Sequence, residues 1–189
     1  MKQVKDSETK EILRIAGDCL SVQGDFCELG CFEGDTSLLF AELLAAPETD
    51  KKLWIYDSFE GLPEKGEEDF SVAGAAFKAG ELFVTKREVK KRFLRANLPV
   101  PIIKKAWFDE LTETDLPEKI AFAFLDGDLY SSIKVSLELV QGKMSEGGVV
   151  VVHDYNNLEL PGVTKAVDEF LEKTHWKIQV KESLTILTN

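Results

Sequence analysis

Four short stretches hold the residue types that could do chemistry. The first is Glu28-Leu29-Gly30-Cys31-Phe32-Glu33-Gly34, which follows an apolar run and precedes a helical pattern. A glycine at such a turn lets the backbone bend tightly and lets a ligand come close. The helix behind it would aim its N-terminal amides at a carboxylate or phosphate, with the Thr36 hydroxyl as a further donor. Gly30 and Gly34 are spaced G-x-x-x-G, not the G-x-G-x-x-G of dinucleotide sites, which argues against nicotinamide and flavin cofactors. The second stretch ends at Asp57, after the apolar run Leu53 to Tyr56. A carboxylate there could accept hydrogen bonds from both hydroxyls of a ribose, or it could cap a turn.

The third and fourth stretches are Phe124-Leu125-Asp126-Gly127-Asp128-Leu129-Tyr130 and Val152-His153-Asp154-Tyr155-Asn156. Each puts charge just beyond a very apolar strand, where the crevice of an open sheet lies. If the two strands are neighbours, Asp126, His153 and Asp154 converge. Two carboxylates and an imidazole would then suit Mg²⁺ or Mn²⁺, with water and substrate oxygens completing an octahedron. The plainer alternative makes Asp126 and Asp154 loop caps and His153 a packed strand-end histidine. Two polar clusters at adjacent strand ends favour a site, because such groups are costly to leave unused.

The elements that must position these residues alternate between strand and helix, the signal of a βαβ architecture. Ile12, Ile15, Ala16 and Cys19 predict an opening amphipathic helix over 7–22. Strands are expected at 25–29, 53–56, up to Lys104, 121–125 and 149–152, the last entered through the turn Gly147-Gly148. Helices are expected at 35–46 (ended by Pro47), 80–96, 130–141 and 162–174, and a closing hairpin at 176–180 and 184–187. Residues 60–80, with Gly61, Pro63, Gly66, Gly74 and Gly80 among several acids, read as a mobile loop or weak helix outside the core and as a candidate lid. No repeat or linker divides the chain, so 1–189 reads as a single domain.

Composition narrows the classes. The chain has 189 residues, 44% hydrophobic and 30% charged, as expected of a globular protein. Its net charge of −11 disfavours nucleic acid and anionic membranes as partners. Cys19, Cys27 and Cys31 lack metal spacing and read as reduced, buried thiols. The charged N-terminus is unlike a signal peptide, and no apolar run reaches the roughly 20 residues of a membrane span. The expectation is a cytoplasmic protein that acts on a small molecule; a homo-oligomer is compatible with the sequence.

Five segments in order resemble the macrocin O-methyltransferase-like (TylF-type) family of class I methyltransferases. They are Gly24-Asp25-Phe26-Cys27-Glu28-Leu29-Gly30, Asp57-Ser58-Phe59-Glu60-Gly61-Leu62-Pro63, Leu125-Asp126-Gly127-Asp128-Leu129-Tyr130-Ser131-Ser132, Val152-His153-Asp154-Tyr155-Asn156, and Pro161-Gly162-Val163 leading to Ala166-Val167-Asp168-Glu169-Phe170. The resemblance implies a doubly wound, Rossmann-like α/β fold: a mostly parallel seven-stranded sheet with an antiparallel last strand. It implies S-adenosylmethionine under the strand ends. Glu28, Gly30, Phe32 and Thr36 would then lie near the methionine half and Asp57 at the ribose, with Ser58 beside it and Asp126 bordering the cofactor. Trp107, just after the third strand, would flank the adenine, or it is an ordinary core or anchoring tryptophan. Asp126, His153 and Asp154 match the family's metal positions, and Asp126 and His153 are the candidate catalytic residues.

The chain departs from the family pattern in carrying His153-Asp154 where Asp-Asp precedes the tyrosine. Histidine can ligate a cation or act as a general base. The expected activity is cation-dependent O-methylation of a sugar or catechol-like hydroxyl. Two alternatives stay open: a metal-independent N- or C-methyltransferase, and a non-catalytic module that keeps the fold.

Overall fold

The computed structural model describes residues 4–45, 49–73 and 77–189. Ala46 and Pro47, where the second helix was expected to end, and Gly74 of the loop lie outside the described residues. The strands are β1 (Asp25–Leu29), β2 (Leu53–Asp57), β3 (Ile102–Lys105), β4 (Ile120–Leu125), β5 (Met144–Val152), β6 (Lys177–Lys181) and β7 (Leu184–Thr188). The helices are α1 (Asp6–Asp18), α2 (Asp35–Ala45), α3 (Lys86–Arg95), α4 (Tyr130–Gln141) and α5 (Pro161–Lys173).

The strands form one seven-stranded sheet in the order β3-β2-β1-β4-β5-β7-β6. Pairings from β3 through β5 are parallel, and β7 runs antiparallel to β5. The hairpin then places β6 at the edge. Strand order reverses between β1 and β4, so a crevice opens there at the carboxyl ends. Alternation of side chains makes both faces apolar, as a parallel sheet covered by helices requires. Phe26, Phe122 and Phe124 pack on one face with Ile12 and Phe40; Cys27, Leu29, Ala123 and Leu125 pack on the other with Ile133 and Val163.

Main-chain hydrogen bonds lace the strands together at and beyond their carboxyl ends. Ala106 N–H donates to Asp57 O (3.0 Å), Gly30 N–H to Tyr56 O (2.9 Å), Asp126 N–H to Leu29 O (2.9 Å) and His153 N–H to Leu125 O (3.0 Å). Gly30, Asp126 and His153 are therefore each fixed to the neighbouring strand before any side chain is considered.

Three elements differ from expectation. The helix expected from residue 80 begins at Lys86. Thr85 caps it by accepting from Glu88 N–H (3.2 Å), and the Glu88 carboxylate accepts in return from Thr85 N–H (3.0 Å). Strand β5 begins at Met144, and Gly147-Gly148 lies inside it where its register to β4 shifts. Finally, the loop after β2 is pinned at two points. Leu62 N–H donates to Glu81 O (2.8 Å) and Gly80 N–H to Leu62 O (2.9 Å). Further on, Asp69 is buried and accepts from Tyr130 N–H (2.7 Å) at the start of α4. Leu62 and Asp69 are thus part of the packed structure, contrary to a loop wholly outside the core.

Candidate functional site

Gly30 has φ +90°, and a Cβ built on it would lie 2.0 Å from Asp126 O. The glycine is required because the ends of β1 and β4 touch, a reason beyond the ligand access that its turn suggested. The turn continues through Phe32 (φ +43°) and Gly34 (φ +81°) into α2. Arg92 on α3 braces it from outside, donating to Glu33 O (2.6 Å) and pairing with Asp35. This brace was not foreseen in the sequence.

Asp57 reaches back across the crevice to the same turn. Its Oδ2 accepts from Cys31 N–H (2.9 Å) and Phe32 N–H (3.3 Å), and its Oδ1 accepts from Phe59 N–H (2.7 Å). The carboxylate therefore organises the backbone of two loops and keeps only its remaining lone pairs for a ribose. Ser58 is buried, and its hydroxyl donates to Gly61 O (3.1 Å) while accepting from Glu60 N–H (3.1 Å). It shapes the loop from within; it does not offer a free hydroxyl.

Glu28 points from β1 into the base of the crevice and is buried. Burial, with Asp126 and Asp57 adding to it, raises its carboxyl to about 8 despite a hydrogen bond from the Ser37 hydroxyl. At neutral pH it is a neutral acid able to donate as well as accept.

The ends of β4 and β5 carry the densest charge. His153 Nδ1 lies 3.0 Å from Asp126 Oδ1 and 3.0 Å from Asp154 Oδ2. One ligand atom from each of the three residues falls within 4.8 Å of the others. Burial alone would lower the imidazole, but the two carboxylates outweigh it and push it up to about 12. Asp154 is held below the usual carboxylate range: burial raises it, and His153 and Asn157 outweigh that by bonding its charged form. Asp128 also enters the crevice, on backbone with φ +59°. Burial, then Asp126 and Asp154, push its carboxyl well above the ordinary range. Asp128 was not among the candidates read from the sequence, although it stands in the same Asp-Gly-Asp motif.

All of these residues line one cavity of about 1100 Å³, part of it open to solvent. Its wall includes Glu28, Gly30, Phe32, Thr36, Asp57, Ser58, Trp107, Asp126, His153 and Asp154, every position singled out from sequence, together with Asp128 and Phe108. Val4 and Thr9, from the start of the chain, close one side. The donor chemistry suits a nucleoside: a strand-end carboxylate, helix N-terminal amides and two aromatic rings. The 3.0 Å edges also suit a cation, because cis ligands with bonds of about 2.1 Å lie about 3.0 Å apart on an octahedron.

The macrocin O-methyltransferase (TylF) family model matches residues 9–185. The chain belongs to this family. Demethyldecarbamoylnovobiocin O-methyltransferase of Streptomyces niveus is 32% identical over 161 residues, covering 81% of this chain and 60% of the relative. The 8-demethyl-8-(2,3-dimethoxy-alpha-L-rhamnosyl)-tetracenomycin-C 4'-O-methyltransferase of Streptomyces olivaceus is also 32% identical, over 71% of this chain and 54% of the relative. The chain thus spans somewhat over half the length of these curated family members. Among solved structures, the O-methyltransferase NovP superposes with TM-score 0.82 at 27% identity, covering 96% of this chain and 78% of NovP. The calicheamicin methyltransferase CalS11, at TM-score 0.77 and 19% identity, shares the fold. The doubly wound sheet with its antiparallel β7 is accordingly the architecture of this family.

Among the described residues no helix is long and apolar enough to cross a membrane. Cys19, Cys27 and Cys31 are free and buried, as read from their spacing.

Proposed function

We propose that the chain is an S-adenosylmethionine-dependent O-methyltransferase that methylates a hydroxyl of a small, sugar-bearing molecule. Family membership supports the methyl donor, and the relatives' names, one of them carrying a rhamnosyl group, support the acceptor class. The observation that carries the reading is the convergence of the β1 turn, the β2 carboxylate and the β4–β5 charge cluster on one cavity.

In this reading S-adenosylmethionine supplies an electrophilic methyl group, and catalysis is largely a matter of alignment, worth up to ~7–11 kcal/mol in well-oriented systems. The turn at Gly30–Phe32 and the start of α2 hold the methionine half, Asp57 holds the ribose and Trp107 walls the adenine. Asp126, His153 and Asp154 would hold a divalent cation, Mg²⁺ or Mn²⁺, which would lower the pKa of an acceptor hydroxyl. These residues would fix where the acceptor oxygen sits, with Asp128 lining the same cavity.

The test is turnover of a rhamnosyl-type acceptor with and without Mg²⁺. Activity that needs the cation and disappears in chelator is expected. Full activity in excess chelator would remove the cation from the mechanism. One observation favours that second reading: His153 Nδ1 already lies at hydrogen-bond distance from both Asp126 and Asp154.

A further inference from the structure

Two buried polar atoms face each other over the carboxyl edge of the sheet without meeting. His153 Nε2 has no hydrogen-bond partner among the described residues, and the imidazole is 5% exposed. Glu8 Oε2, on α1, lies 3.6 Å from it. That distance is just too long for a hydrogen bond. Glu8 is itself buried, although it belongs to a helix whose other acids mostly serve its surface.

Glu8 is not free to turn elsewhere. Its Oε1 accepts from Ser183 N–H (3.2 Å) and from the Ser183 hydroxyl. Its Oε2 accepts from Lys5 N–H (3.3 Å). Helix α1 is in turn fastened to the β6–β7 turn, through Ser7 Oγ–H to Glu182 (2.9 Å) and Lys181 to Glu11 (2.6 Å). A tilt of the imidazole by a fraction of an ångström closes the gap.

We propose that Glu8 is a positioning residue for His153: its carboxylate takes the Nε2–H hydrogen and so keeps Nδ1 turned toward Asp126 and Asp154. Nε2 carries a hydrogen both when the ring is charged and when Nδ1 gives its lone pair to a cation, so Glu8 is the acceptor in either state. Metal-binding histidines are oriented in this way by a carboxylate on their other nitrogen. The catalytic consequence rests on the cation reading given above; the contact itself does not. It makes α1, read from sequence as a plain amphipathic helix, a structural part of the charge cluster.

The chain has two histidines, and His175 is exposed, so histidine labelled with ¹⁵N reports His153 cleanly. The full chain is expected to show an Nε2–H signal protected from exchange, with and without Mg²⁺. Glu8→Ala is expected to lose that protection and to weaken Mn²⁺ binding about tenfold. Glu8→Gln, whose amide oxygen still accepts, restores the signal. Ser7→Ala, which removes the Ser7–Glu182 tie of α1 but touches neither Glu8 nor His153, retains it. Wild-type protection and Mn²⁺ affinity in Glu8→Ala, or an equal loss in Ser7→Ala, would overturn the proposal. If Mg²⁺ fails to move the Nδ1 resonance of the wild type while Nε2–H stays protected, the cation reading fails and the role of Glu8 stands.

Discussion

The two halves of the cavity are built on opposite principles. On the β1–β2 side the polar groups satisfy one another: Asp57 takes the amides of Cys31, Phe32 and Phe59, and Ser58 closes on its own loop. On the β4–β5 side Asp126 and Asp154 close on one histidine with Asp128 in the same cavity, and the ring's Nε2 has no hydrogen-bond partner among the described residues. The first half is complete as a scaffold. The second half sets three carboxyl groups beside one imidazole, a donor set that would suit a cation. Polar groups are thus mutually satisfied on one side and crowded on the other.

Substitutions on the two sides should fail in different ways. Gly30→Ala strikes the seam between them. A left-handed backbone and a Cβ pressed on Asp126 O should together cost about 2–4 kcal/mol, read as a fall in the urea midpoint. Asp126→Ala should leave a folded protein whose methyl transfer falls about 100-fold or more and no longer responds to Mg²⁺. A folded variant with undiminished, chelator-resistant turnover would erase the distinction between the halves.

Glu28→Gln tests the base of the crevice through pH. The folded carboxyl titrates near 8 against 4.5 for its ordinary value, so between those limits the unfolded chain has lost a proton that the folded chain keeps. Stability that is fully present below pH 4.5 is then lost progressively as pH rises to about 8. Glutamine mimics the neutral acid and should flatten that slope in urea titrations at pH 5, 6.5 and 8; an unchanged slope would place the proton elsewhere. The smallest effect is expected for Asp57→Asn, which turns one accepting oxygen into a donor facing backbone amides. A loss of about 1 kcal/mol, with weaker S-adenosylhomocysteine binding by calorimetry, would mark the scaffold side. Unaltered stability would mean the turn holds itself.

Much of this was legible in the residues, and the reason is local. Ile120–Leu125 and Val149–Val152 are unbroken apolar runs ending in charge, and a parallel sheet buried on both faces leaves no other reading. What escaped depends on partners distant in sequence. Asp69 sits in an acid-rich loop and looks solvated, yet it caps a helix 61 residues away. Glu8 was not among the candidates, although its place four residues before Ile12 puts it on the buried stripe. The late start of α3 was written in Thr85-Lys86-Arg87-Glu88, a capping pattern overshadowed by the basic run after it. The dual duty of Asp57 and the contact behind Gly30 exist only once β1, β2 and β4 are side by side.

The main-chain lacing across the strand ends has a consequence for how such proteins diversify. Because Ala106, Asp126 and His153 are each anchored by amide-to-carbonyl bonds, their backbone positions are held without help from the side chains they bear. The rim works as a fixed socket board, in which a change of side chain at 153 would alter the chemistry while the strand end stays where it is.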